Sequence, residues 1–291
     1  MNIMTVCPKK LISLLYVFAA LITPLSLSAA PQHDPVPGGV ALLTLNDNQL
    51  ADSARYKGKK LAVINSNKQQ QLLVGLSLST KPGNHFISIK NNQGENEKIN
   101  FVVKPKTYKA QYLTIKNKRK VNPYEKDMSR ILSEKKRKGI AKKNWRDATV
   151  QSDFITPVDG RISSIFGLRR FFNEQPRRPH SGLDIAAPQD TPIKAVAAGK
   201  VIESGDFFFS GNMIYIDHGK GLISLYAHMH EIKVKTGDDI KEGQIIGTVG
   251  ETGRVTGPHL HLAVLLNQTT VDPLLFLPQL SDKAVEYFKS N

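Results

Sequence analysis

The sequence predicts a mainly β protein in three parts. A small β-sandwich-like module comes first, a basic helical linker follows, and an antiparallel β domain occupies the C-terminal half. Three observations support this order. Short apolar runs broken by Gly, Pro and Asn turns fill two regions of the chain, as in antiparallel β proteins. Positive charge is concentrated between those regions, and the helical spacing of apolar residues is confined to the charged stretch.

Residues 1–30 have the features of a secretory signal. Lys9 and Lys10 precede an apolar run from Leu11 to Ile22, and the small-residue stretch SLSAA follows Pro24. We therefore expect export, with an uncleaved membrane anchor as the alternative. A lipoprotein signal is not supported, because no cysteine follows the small residues.

The cysteine content restricts the chemistry. The single cysteine, Cys7, lies inside the predicted signal. The mature chain is therefore expected to have neither a disulfide framework nor a thiolate metal site, and cysteine nucleophiles are excluded. Any metal must be held by histidine and carboxylate side chains.

The predicted N-terminal module covers residues 31–105. Its β-like runs include VALLTL, KLAVINS, LLVGLSLS, HFISIKN and INFVV, with KPGN and NQGEN as turns between them. This pattern is typical of a small antiparallel sandwich.

The linker, residues 106–149, is strongly basic. Between Lys104 and Asp147, sixteen Lys or Arg residues stand against four acidic residues, a net +12 of the formal +15. No nucleic-acid-binding motif accompanies this charge, so we expect attraction to anionic envelope material, or a solvated linker with no dedicated partner. From Pro123 to Gly139, a narrow apolar stripe predicts a connecting helix. The stripe consists of Tyr124, Met128, Ile131 and Leu132.

Residues 150–280 contain three clusters of potential metal ligands, and residues 281–291 are expected to form a tail. His180 and Asp184 lie in PHSGLDIAAP, His228 ends the strand-like GLISLYAH, and PHLHLAV contains His259 and His261. Alternation along a strand places His259 and His261 on one face. Alone, such a pair also fits an edge strand whose histidines only find hydrogen bonds.

Taken together, these motifs resemble those of the lysostaphin-type (LytM-domain) zinc metallopeptidases, which cleave peptide bonds in bacterial cell walls. The resemblance extends over about Phe154 to Leu277, and the N-terminal parts resemble, less specifically, the leader domains of Gram-negative members. The matching segments are SSIFGLRRF, HSGLDIAAP, GNMIYIDHGKG, LYAHM, GETGRVTGPHLHLAV and VDPLLFL.

The resemblance implies a role for each histidine cluster. His180, Asp184 and His261 are expected to bind Zn²⁺, and a site of three N or O ligands with one open position is typical of catalytic zinc. His228 and His259 are expected to be the catalytic partners, one as general base and one as electrostatic stabiliser, in an order that the sequence leaves open.

The other histidines, the glycines of the loop before His259 and two arginines are not assigned to the metal site. His218 is expected to be structural, His230 is not required by the motif, and His33 and His85 lie outside the domain. The glycines of GETGRVTGPH are expected to serve turns or close approach of the backbone to substrate. Arg169 and Arg170 are candidates for contact with a substrate carboxylate, with solvent exposure as the alternative.

The implied function is hydrolysis of peptide cross-links in peptidoglycan by a zinc endopeptidase in the periplasm. The expected bond joins D-alanine to the diamino acid of a neighbouring stem. One alternative is a catalytically inactive activator of other wall hydrolases. A second, a biotinyl- or lipoyl-type carrier suggested by KTGDDIKEGQIIGTVG, is disfavoured because Lys283 does not lie between such strands. The oligomeric state is not predicted.

A final hypothesis concerns latency. Residues 31–146 are long enough to fold back over the active-site groove, and a leader Asp, Glu, Asn or His would then take the open metal position. The alternative is that the module docks to the wall or to a partner and leaves the groove open.

Overall fold

The computed structural model describes residues 30–66, 68–280, 284 and 287. Residues 1–29 of the predicted signal and nearly all of the predicted tail lie outside these residues. Within the described part of the chain, no helix is long and apolar enough to cross a membrane. Strands dominate, so the predicted mainly β fold class is confirmed.

The N-terminal module consists of two antiparallel sheets. Its strands are β1 (Val40–Thr44), β2 (Gln49–Tyr56), β3 (Lys59–Lys60), β4 (Ala62–Ser66), β5 (Gln69–Gly75), β6 (Gly83–Asn91) and β7 (Asn96–Val103). The strand orders are β1-β5-β4 and β3-β2-β6-β7. Leu72 and Val74 of one sheet and Ile87 and Ile89 of the other are fully buried in one apolar cluster. The predicted sandwich-like module is therefore confirmed.

The linker contains one strand and three helical segments. They are β8 (Ala110–Leu113), α1 (Lys118–Val121), a 3-10 helix (Glu125–Asp127) and α2 (Met128–Lys142). The strand β8 pairs in parallel with β10 (Arg169–Phe172), which in turn pairs with β11 (Gln175–Pro176). The linker therefore supplies a strand to the C-terminal part of the molecule.

The predicted connecting helix is present, but it differs from the prediction in its end and in its contact face. It continues through Gly139 to Lys142. Tyr124, Met128 and Leu132 of the apolar stripe are 57%, 42% and 57% exposed, whereas Glu134 and Ala141 are buried. Charged side chains dock this helix, because the surface opposite offers backbone N–H groups and carboxylates as partners.

The C-terminal part is built on a large antiparallel sheet. Its strands are β9 (Arg161–Ser164), β12 (Leu183–Ala186), β13 (Pro192–Lys194), β14 (Gly199–Phe207), β15 (Gly211–Asp217), β16 (Ile223–Ile232), β17 (Asp239–Ile240), β18 (Ile245–Val249), β19 (His259–Leu266) and β20 (Thr269–Val271). The main path of the sheet is β17-β14-β15-β16-β19-β12-β9. Two 3-10 helices, Pro273–Phe276 and Pro278–Leu280, follow the last strand.

One apolar core continues across the predicted boundary between the N-terminal module and the C-terminal sheet. Val40 and Leu73 of the module belong to the same buried cluster as Val264 and Leu266 of β19. Asn267 adds polar contacts, since its side chain accepts from Gly75 N at 2.7 Å and donates to Gly75 O at 3.0 Å. The module is therefore fixed against the sheet that carries the site, although the residue boundaries 31–105, 106–149 and 150–280 stay predictions.

Candidate metal centre and catalytic cleft

Two of the predicted metal ligands face each other on adjacent strands. In the antiparallel pairing of β12 with β19, Asp184 lies opposite His261. His261 Nδ1 and Asp184 Oδ1 are 2.7 Å apart. Because side chains alternate along a strand, His259 shares this face of β19, as the sequence predicted.

The third predicted ligand, His180, reaches the same point from the loop before β12. Its Nε2 lies 3.0 Å from Asp184 Oδ1 and 3.1 Å from His261 Nδ1. Gly182 makes this approach possible, because a Cβ there would lie 2.3 Å from Leu262 O and 2.7 Å from His261 Cε1. The ligand atoms of His180, Asp184 and His261 thus converge within 4.8 Å of one another.

Two of the three ligands, His180 and Asp184, have a further hydrogen-bond partner that fixes their orientation. His180 Nδ1 donates to Ile165 O at 2.6 Å, which assigns the proton to Nδ1 and leaves Nε2 for a metal. Arg170 Nη2 donates to Asp184 Oδ2 at 2.6 Å, leaving Oδ1 toward the histidines. Arg170 is itself held by Ser164 Oγ and, from the linker strand β8, by Gln111 Oε1.

Burial and charge set the protonation states that a metal requires. Burial lowers the pKa of His180 to about 4, so its imidazole is neutral near pH 7. Burial by itself raises the pKa of Asp184, but His180, His261 and Arg170 outweigh it and hold that pKa well below the usual value. Two imidazoles and one carboxylate within reach of one point match the donor set of catalytic zinc. The residues present therefore fit a zinc ion.

The two predicted catalytic histidines lie side by side next to this group. The ring centroids of His228 and His259 are 4.9 Å apart, and those of His228 and His261 are 5.9 Å apart. His228 Nδ1 donates to Thr252 O at 2.7 Å, and His259 Nδ1 donates to Gly257 O at 2.8 Å. Both assignments leave Nε2 as the free nitrogen, and His259 Nε2 lies 3.8 Å from Asp184 Oδ1.

His228 is brought to this face by an irregularity that the sequence pattern does not reveal. The β15–β16 pairing shifts register near this residue, and His228 adopts φ 65°, in the left-handed region. Such a backbone is strained for a non-glycine residue and is frequent at functional sites. Burial, followed by the neighbouring His259 and His261, lowers the pKa of His228 well below its usual value, so it is neutral and able to accept a proton.

A cleft of about 740 Å³ extends from this group across the sheet. Its floor is formed by side chains of β15, β16 and β19, and the linker helix α2 lines it from the other side. Ala141 of α2 packs in one buried cluster with Phe207, Tyr215 and Leu265. The face of the sheet that carries His261 is therefore partly covered by a helix from the linker.

The remaining histidines have partners that agree with the expectations for them. His218 is fully buried, with Nδ1 2.8 Å from Ala198 O and Nε2 2.7 Å from Ser224 Oγ. His230 pairs with Asp190 at the surface. His33 accepts from Leu42 N, and His85 contacts Tyr56 Oη.

The position of Arg169 fits the solvent-exposed alternative, whereas the contacts of Arg170 fit neither expectation. Arg169 is exposed and donates to Tyr108 O, while Arg170 donates to Asp184 and is not free for substrate.

Arg254 lines the cleft but could not be predicted from the sequence, because no local pattern distinguishes an arginine in a glycine-rich loop. Gly253, beside it, has φ 82°, and a Cβ there would lie 2.4 Å from Gly211 N, so this glycine serves a turn with close backbone approach.

Comparison with known proteins identifies two family matches. Residues 178–273 match Peptidase family M23, and residues 33–106 match the Peptidase family M23 N-terminal domain. A solved structure described as peptidase M23 from Pseudomonas aeruginosa is 37% identical, covers 84% of this chain and 95% of that chain, and superposes with a TM-score of 0.70.

Among curated proteins, the peptidoglycan DD-endopeptidase ShyC of Vibrio cholerae is 44% identical over 142 residues, which are 47% of this chain and 33% of ShyC. The DD-carboxypeptidase/endopeptidase Mpg of Neisseria meningitidis is 42% identical over 114 residues, which are 39% of this chain and 26% of Mpg. The match thus spans a third or less of the length of these two relatives.

Proposed function

The chain belongs to peptidase family M23, and from this membership and the geometry of the cleft we propose that it is a zinc-dependent endopeptidase that hydrolyses peptide cross-links of bacterial peptidoglycan. The observation that carries the proposal is the convergence of His180, Asp184 and His261 within 4.8 Å, beside two further histidines. The names of ShyC and Mpg support the substrate class.

Each side chain has a defined task in this proposal. His180 Nε2, Asp184 Oδ1 and His261 Nδ1 would hold zinc, which supplies a water of lowered pKa and polarises the scissile carbonyl. His228 and His259 accept and return the proton moved during hydrolysis and stabilise charge at the carbonyl oxygen. Their Nδ1 protons are held by backbone carbonyls, so each ring keeps a fixed orientation with Nε2 available.

The inactive-regulator alternative is not favoured. A protein that only activates other hydrolases needs neither three converging ligands nor two further histidines beside them. Here both sets are present, and an arginine orients the carboxylate ligand.

The proposed location is the cell envelope, where the substrate lies, and the predicted signal at residues 1–30 refines this to the periplasm. The proposed bond lies between D-alanine and the diamino acid of a neighbouring stem. We also propose that the basic linker is attracted to anionic envelope material, since a net charge of +12 is concentrated in the 44 residues from Lys104 to Asp147.

Restricted access to the cleft is also part of the proposal. Helix α2 comes from the leader, lines the cleft and packs on its floor, which supports occlusion over a leader that leaves the groove open. The fourth-ligand hypothesis has no support among the described His, Asp and Glu residues, because the group of them that can hold a metal contains no leader residue.

Digestion of purified sacculi tests the proposed function. We expect the zinc-loaded protein to convert cross-linked muropeptide dimers into monomers, as identified by chromatography and mass spectrometry, and Asp184→Ala to leave the dimers intact. Release of sugar fragments with intact cross-links would contradict the proposal. Unchanged dimers with stoichiometric zinc bound would favour the regulator.

A further inference from the structure

Arg254 occupies an unusual position in the catalytic cleft. It lies in the loop between β18 and β19, and its guanidinium carbon is 4.7 Å from the ring centroids of both Phe172 and Phe209. Its backbone N–H also donates to Phe209 O at 2.9 Å. Two aromatic faces therefore hold a planar cation in a fixed position on the wall of the cleft.

This cation has no acidic partner in the described part of the chain. Its side-chain hydrogen bond goes to Lys120 O at 3.5 Å, at the limit of such contacts. Burial, followed by Arg170 and Arg177, lowers the pKa of Arg254 to about 10, so it remains charged at neutral pH. A partly buried, unpaired guanidinium is costly for the free protein, and an anionic ligand would remove that cost.

The other charged side chains that line the cleft are mostly positive. Among the described residues that line it, the acidic one is Glu134, and its carboxylate already accepts from Phe208 N and Arg130 Nε. The other cations lining the cleft are Lys135, Lys138, Lys142, Arg170, Arg177 and Arg178. Low-dielectric walls with one sign of charge concentrate ligands of the opposite sign.

We propose that Arg254 binds a free carboxylate of the peptide substrate, borne by the residue that flanks the scissile bond. This inference rests on the proposed function. The bound carboxylate would lie at the end of the cleft near the metal ligands. Arg254 is close to that end, because Thr252, two residues before it, accepts a hydrogen bond from the catalytic residue His228. Arg254 is also near enough to Arg170, the partner of Asp184, for the two charges to interact.

Arg254 fits this task better than the arginines singled out from the sequence. Arg170 donates to Asp184, and substrate binding there would compete with the orientation of a metal ligand. Arg169 is exposed and bonds to the leader at Tyr108 O. Apart from the 3.5 Å contact of Nη1 with Lys120 O, the guanidinium donors of Arg254 have no hydrogen-bond partner among the described residues, and the two rings fix its plane, which suits bidentate binding of a carboxylate.

The test uses three synthetic cross-linked peptides and the full zinc-loaded chain. One peptide has all its carboxylates free, the second has a carboxamide on the diamino acid that flanks the scissile bond, and the third has a carboxamide at a carboxylate remote from that bond. We expect the flanking amide to raise KM about 10- to 100-fold with little change in kcat, and the remote amide to have little effect.

Arg254→Gln should reproduce the rise in KM with the free-acid peptide and show no further rise with the flanking amide. Arg254→Lys keeps the charge but loses the fork, so an intermediate KM is expected. Arg161→Gln, an exposed change outside the cleft, is the matched control and should leave KM unchanged. Zinc content and thermal unfolding identify any variant that fails to fold, and the comparison of peptides on the wild-type chain needs no substitution.

Equal amide penalties in the wild-type chain and Arg254→Gln would overturn the proposal, as would the absence of a penalty in the wild-type chain. A penalty confined to the remote amide would overturn the position given to the carboxylate. Calorimetric binding of the same peptides separates this inference from the proposed function. If no peptide is cleaved, the endopeptidase proposal fails, whereas weaker binding of the flanking amide, lost in Arg254→Gln, would still support the carboxylate site.

Discussion

Arg170 and Asp184 are joined by a 2.6 Å salt bridge through the carboxylate oxygen that the histidines do not contact. Both side chains are largely shielded from solvent, at 16% and 8% exposure. The arginine thus selects which oxygen of Asp184 is left for a metal. Because Gln111 of β8 also accepts from Arg170, the leader strand is connected to the metal centre through one side chain.

Replacing Arg170 should weaken metal binding without removing a ligand. Arg170→Gln is expected to lower the affinity for zinc about 10- to 100-fold, as measured by competition with a chelator, because Asp184 loses the donor that orients it. Arg170→Lys keeps the charge and should recover part of that loss.

Arg169→Gln is the matched control for this prediction. Arg169 is the adjacent arginine, but it is exposed, and the hydrogen bond of its side chain in the described structure goes to Tyr108 O. Zinc affinity should therefore stay at the wild-type value. Equal affinities for Arg170→Gln and Arg169→Gln would show that the salt bridge does not position Asp184.

Substitutions of the five site residues should separate into two groups. His180→Ala, Asp184→Ala and His261→Ala are each expected to abolish zinc retention and hydrolysis, since two remaining ligands hold zinc poorly. His228→Ala and His259→Ala should retain most of the metal and lose turnover, with a typical contribution of about 100- to 10,000-fold for an acid–base group.

Zinc content after dialysis and the hydrolysis rate, measured on the same samples, check this division. Full activity with stoichiometric zinc in any of the first three variants would contradict the ligand assignment. Loss of zinc from His228→Ala or His259→Ala as complete as from His261→Ala would contradict the separate roles.

The parts of the fold and site that the sequence could predict follow from local periodicity. Alternation along a strand places His259 and His261 on one face. Turn residues between short apolar runs likewise predict the antiparallel sheets. These features depend on neighbouring residues, so one sequence contains them.

The remaining features depend on contacts between distant segments. The register shift near His228 arises in the pairing of β16 with β15, and no local sequence pattern predicts it. The apolar stripe of α2 did not predict which face of the helix is buried, because charged side chains dock the helix. Glu134 accepts from Phe208 N, and Arg137 donates to Glu203. Periodicity reports where apolar residues lie, and this helix is held mainly by polar contacts.

The stability of the fold should depend on the protonation of His218. Burial lowers the pKa of this histidine to about 4 and outweighs the hydrogen bond to Ala198 O, which by itself raises that pKa. A histidine with a lowered pKa in the folded state stabilises the fold above its unfolded pKa of about 6.5, and this contribution disappears as pH falls toward 4. Between pH 7 and pH 5, the loss should be about 2 kcal/mol.

Urea unfolding of the metal-free protein at both pH values measures this loss. The free energy of unfolding of the wild-type chain should fall by about 2 kcal/mol more than that of His218→Gln, which has no titrating ring at this position. His180 and His228 also titrate in both proteins, so their effect cancels in the comparison. Parallel pH profiles for the two proteins would exclude His218 as the source.

Weakening the docking of α2 should accelerate hydrolysis. Both carboxylate oxygens of Glu134 accept from Phe208 N, at 3.0 and 2.8 Å, and Glu134→Gln removes the charge that also binds Arg130. A loss of about 1 kcal/mol from the docked state would raise the population of an open cleft about fivefold, and the initial rate on sacculi by the same factor.

The experiment uses the full chain, because a fragment beginning near Val150 would expose the part of the core that Val40 and Leu73 cover. Lys136→Gln, an exposed change on the same helix, is the control and should leave the rate unchanged. Hydrogen exchange shows whether α2 is loosened in Glu134→Gln and unchanged in Lys136→Gln. If α2 is loosened in Glu134→Gln but that variant hydrolyses sacculi at the wild-type rate, the helix does not limit access and the open-groove alternative is correct.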